Sequence, residues 1–167
     1  GLDPAPLSLA PAPARIRPAR RLAGDRLWIW DEAPSGGNKI RKLEWLLPDT
    51  LARGRRGVIL VGPTGSNWVE VATTAAHRLG LATRAVWFSS PTPPYAIRNQ
   101  ERTLATADEV RKVDSVAGVP CACLRLLARH GDHDLYPPGG TGIRSSLGHV
   151  EAALELERRV EAGCDVA

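Results

Sequence analysis

The stretch GVILVGPTGSNWVEVATTAAHRLGLATRAVWF, residues 57–88, decides the predicted fold of this chain of 167 residues. Residues 57–62 form an apolar run between two glycines, which is typical of a strand buried within a parallel sheet, and a second strand is predicted over residues 85–88. Between them, apolar residues recur at helical spacing up to Gly80: they are Val69, Ala72, Ala76 and Leu79. Strand, helix and strand in this order predict a right-handed βαβ unit.

The rest of the chain continues the alternation of strands and helices. Further strands are predicted over residues 26–30, 109–113 and 134–136, and further helices over residues 38–53, 96–104, 120–129 and 146–162. We expect Asn38 to cap the first of these helices and Pro48 to kink or interrupt it. In the last helix one face is mostly apolar: it holds Leu147, Val150, Leu154 and Val160. The alternation predicts an open, mainly parallel, three-layer α/β sheet.

Composition and charge exclude several classes of protein. Hydrophobic residues make up 43% of the chain and charged residues 24%, so a disordered chain is not expected. No apolar run approaches the roughly 18 residues that a membrane-spanning helix needs. The net charge of +4 is spread along the chain, which does not favour nucleic-acid binding. Three cysteines, Cys121, Cys123 and Cys164, do not suggest a secreted disulfide framework, so we expect a cytoplasmic protein.

The two ends of the sequence suggest a piece of a longer protein. Residues 1–24 hold five prolines among alanines and arginines, and this composition predicts an extended arm rather than a helix. The chain contains no Met, including at its first position. We therefore expect a fragment or a processed piece.

Two of the three lysines lie together in SGGNKIRK, residues 35–42. Lys39 and Lys42 are placed at the predicted start of a helix, where the helix dipole disfavours the ammonium form and favours a free amine. A free amine is what Schiff-base chemistry requires. On spacing alone, a solvated basic first turn explains the same pattern.

A second candidate site is GPTGSN, residues 62–67, between a strand and a helix. Free backbone N–H groups there, with the side chains of Ser66 and Asn67, suit a carboxylate or phosphate. Ligands of open α/β sheets bind at this position. The segment is neither a dinucleotide fingerprint nor a P-loop. Helix capping by Ser66 or Asn67 is the alternative interpretation.

In combination, these segments resemble a known family of enzymes. GGNKIRKLE, residues 36–44, is followed by a strand and then by Ser66-Asn67; YPPGGT, residues 136–141, and GHVEAALE, residues 148–155, come later. This order resembles the pyridoxal-phosphate (PLP) enzymes of the D-cysteine desulfhydrase and 1-aminocyclopropane-1-carboxylate (ACC) deaminase family, which have the tryptophan-synthase-β-like fold, also called PLP fold type II. The resemblance runs from about residue 27 to residue 163 and concerns the N-terminal half of the family.

The resemblance implies a role for each matching residue. Lys39 matches the lysine that holds PLP through a Schiff base and transfers the α-proton, and Lys42 matches a lysine that reaches the cofactor phosphate. Asn67 matches the asparagine that hydrogen-bonds the pyridine 3′-oxygen. Ser66 matches a serine that acts near the substrate carboxylate or on the substrate. PLP is then the electron sink, and no metal is implied.

The sequence also departs from the family pattern. Trp68 stands where His or Gln is usual, and its indole cannot accept a proton and is expected to block part of the substrate pocket. Glu70 stands where a basic residue is common, which reverses a charge near the predicted anion site. The chain also stops before the family's glycine-rich phosphate cup and the residues that face the pyridine nitrogen.

The resemblance gives a predicted domain division and function. Residues 1–37 are expected to form an arm and strand of a larger domain, residues 38–139 a small α/β domain, and residues 140–167 a loop and helix that return to the larger domain. The predicted activity is that of a lyase or deaminase that acts on a small amino acid of the D-cysteine or ACC type. It releases ammonia or sulfide and a keto acid. A homo-oligomer is left open, and no nucleic-acid or membrane partner is expected.

Two alternatives from other classes remain. One is a degenerate, non-catalytic remnant of the same family. The other is a plain anion-binding α/β module without Schiff-base chemistry.

Overall fold

The computed structural model describes residues 4–19, 27–91 and 93–161. Arg26, Ala162 and Cys164, on which some of the predictions depend, lie outside these ranges. The strands are β1 (Arg15–Pro18), β2 (Trp28–Asp31), β3 (Gly57–Pro63), β4 (Ala82–Phe88), β5 (Glu109–Val113) and β6 (His133–Tyr136). The helices are α1 (Asn38–Ala52), α2 (Asn67–Arg78), α3 (Pro94–Thr106), α4 (Val119–Arg129) and α5 (Ile143–Glu161).

Four of these strands form one parallel sheet in the order β5-β4-β3-β6. Leu60 in β3 is in register with Ala85 in β4 and with Tyr136 in β6. The predicted βαβ unit of β3, α2 and β4 is present, and the strand over residues 109–113 has the predicted bounds. The prediction of an open, parallel α/β sheet is confirmed.

Strand β3 is buried because both faces of the sheet are covered. Val58 and Leu60 pack in one cluster with residues of α1 and α2, while Ile59 and Val61 pack in a second cluster with α4. None of these four side chains is more than 3% exposed. The continuous apolar run in the sequence therefore follows from the three-layer arrangement.

Of the two effects predicted for Pro48, a kink or an interruption of the first helix, the interruption is wrong. Helix α1 continues through Pro48. Because a proline has no N–H, the carbonyl of Glu44 lacks its usual partner within the helix. The backbone N–H of Leu7 supplies that partner at 2.9 Å, and the Glu44 carboxylate accepts the N–H groups of Leu9 and Ala10 at 2.9 and 3.2 Å. The arm thus replaces the hydrogen bond that the proline removes.

Two further predictions about the N-terminal part need correction. Asn38 is the first residue of α1 and does not cap it; Gly37 holds the cap position with φ of 85°, and no side chain bonds to the cap. The positive φ of Gly37, a conformation that only glycine adopts easily, brings the chain into the helix. The arm is extended as predicted, but residues 15–18 also pair with β2 in an antiparallel sheet.

Helix α5 packs on α1 through small and polar residues. Ser145 and Gly148 are buried, and a Cβ added to Gly148 would lie 2.0 Å from the carbonyl oxygen of Arg41. The predicted apolar stripe faces the other way: exposed fractions are 54% for Val150, 50% for Leu154 and 65% for Val160.

The remaining sequence-level expectations concern membranes and metals. In the part of the chain that the structure describes, none of the helices is long and apolar enough to cross a bilayer. Within the same part, His, Cys, Asp and Glu side chains do not gather in groups of three or more that could hold a metal ion. Cys121 is exposed and Cys123 is buried, and both are free thiols.

Candidate active site

The candidate residues meet at the carboxyl ends of the sheet strands. The first turn of α1, the loop between β3 and α2, and the loop after β4 enclose a cleft of about 380 Å³. Lys39, Ser66, Asn67 and Gly139 line this cleft, which we call the Lys39 cleft. A volume of this size lies within the range of small-molecule sites, roughly 300–1,000 Å³. The sheet topology therefore brings together two segments that are separate in the sequence.

The loop between β3 and α2 is held in place by neighbouring elements. The Thr64 N–H donates to the carbonyl of Phe88 at 3.0 Å, and the Asn99 amide donates to the carbonyl of Gly65 at 3.1 Å. Gly65 has φ of 76°, and a Cβ there would lie 2.5 Å from the Cβ of Ala96. Only glycine fits at this position, so the loop geometry is fixed by its contacts with β4 and α3.

Ser66 caps helix α2, which confirms one of the two interpretations of this segment. Its Oγ accepts the N–H of Val69 at 3.4 Å, and its carbonyl accepts the N–H of Glu70 at 3.1 Å. Within the described residues, the backbone N–H groups of Asn67 and Trp68 have no hydrogen-bond partner, nor has the exposed Asn67 side chain. Capping therefore leaves open donors at the helix start, where an anion is favoured.

Lys39 and Lys42 lie one turn apart on α1 but have different surroundings. Lys39 is half-buried at the cleft, and its amine makes no hydrogen bond or ion pair with any residue that the structure describes. The Lys42 amine instead donates to the carbonyl of Gly139 at 2.8 Å. Burial, with the nearby charge of Lys39 as a smaller cause, lowers the pKa of Lys42. Lys42 thus ties the loop after β6 to α1, and its contact with a cofactor phosphate stays a prediction.

Trp68 forms the floor of the cleft and is also part of the core. It is 3% exposed, and its ring lies 6.4 Å from that of Tyr136. Gly140 lies directly against it, since a Cβ there would be 2.3 Å from the Trp68 ring. The indole Nε1 is buried without a hydrogen-bond partner in the described structure.

Glu70 does not lie in the Lys39 cleft. It is 7% exposed and lines a separate groove between α2, the N-terminal arm and the start of α1, and its carboxylate lies 3.6 Å from the guanidinium of Arg102. Asn67 and Glu70 are three residues apart in the first turn of α2 and are therefore neighbours on the helix surface. The effect of the Glu70 charge near the predicted anion site stays a prediction.

Sequence reasoning missed the residue that fixes the position of α1. The Arg41 guanidinium is buried and binds Glu32 in the turn before α1 at 3.2 Å and Glu155 in α5 at 2.7 Å. Burial alone favours the neutral form of Glu32, but its hydrogen bonds from Trp30 and Ser35 and the charge of Arg41 outweigh burial and lower its pKa. No local signal marks Arg41, since Glu155 is 114 residues away in the sequence.

Comparison with known proteins agrees with this geometry. No protein-family model matches the chain. Over 136 residues the chain is 34% identical to D-cysteine desulfhydrase of Klebsiella pneumoniae, an alignment that covers 75% of this chain and 41% of that protein. The crystal structure of an ACC deaminase homologue matches 92% of this chain and 50% of its own, with 30% identity and a TM-score of 0.77. This chain is a relative of the D-cysteine desulfhydrase and ACC deaminase family.

A more distant structure supports the same fold. Maize serine racemase matches with a TM-score of 0.58 and 17% identity, over 74% of this chain and 36% of its own. The resemblance to the N-terminal half of the family and the tryptophan-synthase-β-like fold are therefore confirmed. The chain spans about half the length of these relatives, or less.

Proposed function

We propose that this chain carries the lysine-bearing part of a PLP-dependent lyase or deaminase that acts on a small amino acid of the D-cysteine or ACC type. The products are a keto acid and ammonia, with sulfide in addition when the substrate is of the D-cysteine type. The observation that carries the proposal is the Lys39 amine, which has no partner among the described residues and shares a cleft with Ser66 and Asn67. The kinship with D-cysteine desulfhydrase supports the choice of reaction.

The residues of the Lys39 cleft fit the proposed cofactor. Lys39 offers an amine to an aldehyde, and the Asn67 amide offers a donor to a ring oxygen. The open N–H groups at the start of α2 suit negatively charged oxygens, and Lys42 stands one turn behind. When bound, PLP supplies an electron sink for negative charge at the substrate Cα.

The chain's own side chains then have separate tasks. With a D-cysteine-type substrate, the Lys39 amine would take and return the proton at the substrate Cα, because it is the base that lines the cleft. ACC has no hydrogen on Cα, so with that substrate Lys39 would move a proton at a ring carbon instead. The hydroxyl of Ser66 and the N–H groups beyond it orient the substrate carboxylate. Trp68 closes the floor and excludes water, which strengthens the electrostatic interactions in the cleft.

The proposal includes the domain division given above. The sheet strands β3 to β6 and helices α1 to α4 all lie within residues 38–139, which supports a small domain there. Helix α5 presents an apolar face with no covering element in the described structure, as expected if residues 140–167 return to a larger domain. The proposal also places the whole protein in the cytoplasm and includes its assembly into a homo-oligomer.

The test is PLP binding followed by turnover. The chain and its Lys39→Ala and Lys112→Ala variants are mixed with PLP, and the absorption spectrum is recorded before and after D-cysteine or ACC is added. The proposal predicts a cofactor band with the parent chain and with Lys112→Ala, the matched control, but not with Lys39→Ala. Sulfide or ammonia release is expected to follow the band.

Two results contradict the proposal. A cofactor band without any turnover, also when the chain is supplied as part of its full-length protein, indicates the non-catalytic remnant. The absence of a lysine-dependent band, together with protection of the fold by phosphate, indicates the anion-binding module.

A further inference from the structure

A second candidate site lies at the edge of the sheet, away from the Lys39 cleft. Strand β5 is the outer strand on one side, and in the described residues no strand pairs with its free edge. An unpaired edge presents a row of backbone N–H and C=O groups that can pair with another extended segment. Its sequence, EVRKV, carries exposed Arg111 and Lys112 in the centre of that edge.

A groove of about 460 Å³ runs between β5 and α4. Three arginines line it and no carboxylate does: they are Arg111, Arg125 and Arg129. Lys112 also borders the groove, but its ammonium lies 5.7 Å from the Trp87 ring, which belongs to the core cluster on the other face of the sheet. We call this cavity the β5 groove. Its volume is enough for several side chains of a ligand rather than for a single small ion.

Nearby carboxylates balance only part of this charge. Glu109 binds Arg111 at 2.6 Å and Arg129 at 3.4 Å. Arg125 has no acidic partner in the part of the chain that the structure describes, and Asp114 lies in the adjoining cavity. The bonds to Glu109 show that these guanidiniums are placed to bind carboxylates. Arg129 shares Glu109 with Arg111. One turn of helix separates it from Arg125, which has no carboxylate partner in the described structure, so the two guanidiniums form a row along α4.

We propose that the β5 groove binds an extended acidic peptide, which adds a strand to the free edge of β5. Alternate residues of an added strand point to the same face of the sheet, so an acidic residue at every second position faces Arg111 and the row on α4. The same positive charge repels a second copy of β5, which selects against edge-to-edge pairing of this chain with itself. The partner is therefore an acidic segment of another protein.

The experiment measures binding of a fluorescent six-residue peptide of alternating Glu and Val by anisotropy. Three comparison probes are used: the same peptide with Lys for Glu, the same peptide with alternate amides N-methylated, and inorganic tripolyphosphate as competitor. The proteins are the full chain, Arg125→Glu, and Arg98→Glu as a matched control on α3, outside the groove.

The proposal predicts that the acidic peptide binds and that Arg125→Glu weakens it at least about fivefold, whereas Arg98→Glu changes the affinity less than about twofold. N-methylation is expected to weaken binding at least as much, because it removes backbone donors but no charge. Each of three results would overturn the added strand. The first is equal binding of the N-methylated and the parent peptide, and the second is full displacement of the peptide by tripolyphosphate at equal charge concentration. The third is an equal effect of the two arginine variants on the affinity.

Discussion

Polar side chains lie at both ends of the parallel sheet, but within the described structure His133 at the amino ends of the strands is paired, whereas Lys39 and Asn67 at the carboxyl ends are not. At the amino ends, Nδ1 of His133 lies 2.8 Å from the Asp132 carboxylate, and Nε2 bonds to the Arg84 guanidinium. Since arginine can only donate, Nε2 accepts and Nδ1 carries the proton. At the carboxyl ends, Lys39 and Asn67 have no partner among the described residues. Paired side chains stabilise the fold, and those left open beside a cleft are available to a ligand.

The largest expected loss of stability comes from a substitution of Trp68, which tests whether the floor of the Lys39 cleft is part of the core. Trp68→Ala removes a side chain that is 3% exposed, and we expect a loss of about 3–5 kcal/mol in the free energy of unfolding. Urea denaturation measures it. The control Trp28→Ala, at a side chain 43% exposed, is expected to cost less than about 1 kcal/mol. Similar losses for both variants would show that Trp68 is not part of the core.

A substitution of Gly57 tests the close packing at the amino ends of the sheet strands, and we expect a smaller loss of stability. In Gly57→Ala the new Cβ would lie 2.3 Å from Nε2 of His133 and 2.4 Å from the carbonyl oxygen of Ala82, so we expect about 2 kcal/mol of destabilisation. Gly131→Ala is the control, since its nearest contact is 3.7 Å. If thermal unfolding does not distinguish the two variants, the histidine network is looser than described.

The substitution Glu109→Gln tests the ion pairs of Glu109, which also lies at the amino end of its strand. Burial opposes ionisation of Glu109, but bonds from Arg111 and Arg129 outweigh it and lower its pKa below the ordinary 4.5. The carboxylate therefore stabilises the fold above about pH 4.5, and this contribution is lost as the pH falls through the lowered pKa. We expect the variant to lose about 1 kcal/mol at pH 7. Urea midpoints at several pH values should show that this difference disappears in acid; a constant difference contradicts the assignment.

The smallest stability effect separates the two lysines of α1. Lys42→Met removes the hydrogen bond to Gly139, and we expect a loss of about 0.5–1 kcal/mol. Lys39→Met removes no hydrogen bond or ion pair with the described residues and is expected to cost less than about 0.5 kcal/mol. Equal costs in urea denaturation would show that Lys39 has a structural partner.

Much of the fold is predictable because its signals are local. The run over residues 57–62, the helical spacing up to Gly80 and the strand over residues 109–113 each depend on a few neighbouring side chains. The proximity of Lys39 to Ser66 follows from parallel topology, which brings the carboxyl ends of strands to one edge.

Two features that the sequence does not predict, the continuity of α1 and the packing of α5, depend on contacts between distant parts of the chain. Helix α1 continues through Pro48, and the N–H of Leu7 supplies the hydrogen bond that the proline removes. The apolar face of α5 is exposed because Gly148 allows the opposite face to approach α1. Local patterns do not report such pairings.

The most direct test of the central claim is reductive labelling of lysines by PLP. The folded chain is treated with a small excess of PLP and borohydride, and the labelled peptides are mapped by mass spectrometry. Because Lys39 is open in the cleft and Lys42 is bound to Gly139, the label is expected mainly on Lys39, with little on Lys42 or on exposed Lys112. Equal labelling of all three lysines, or preferential labelling of Lys112, would contradict the account.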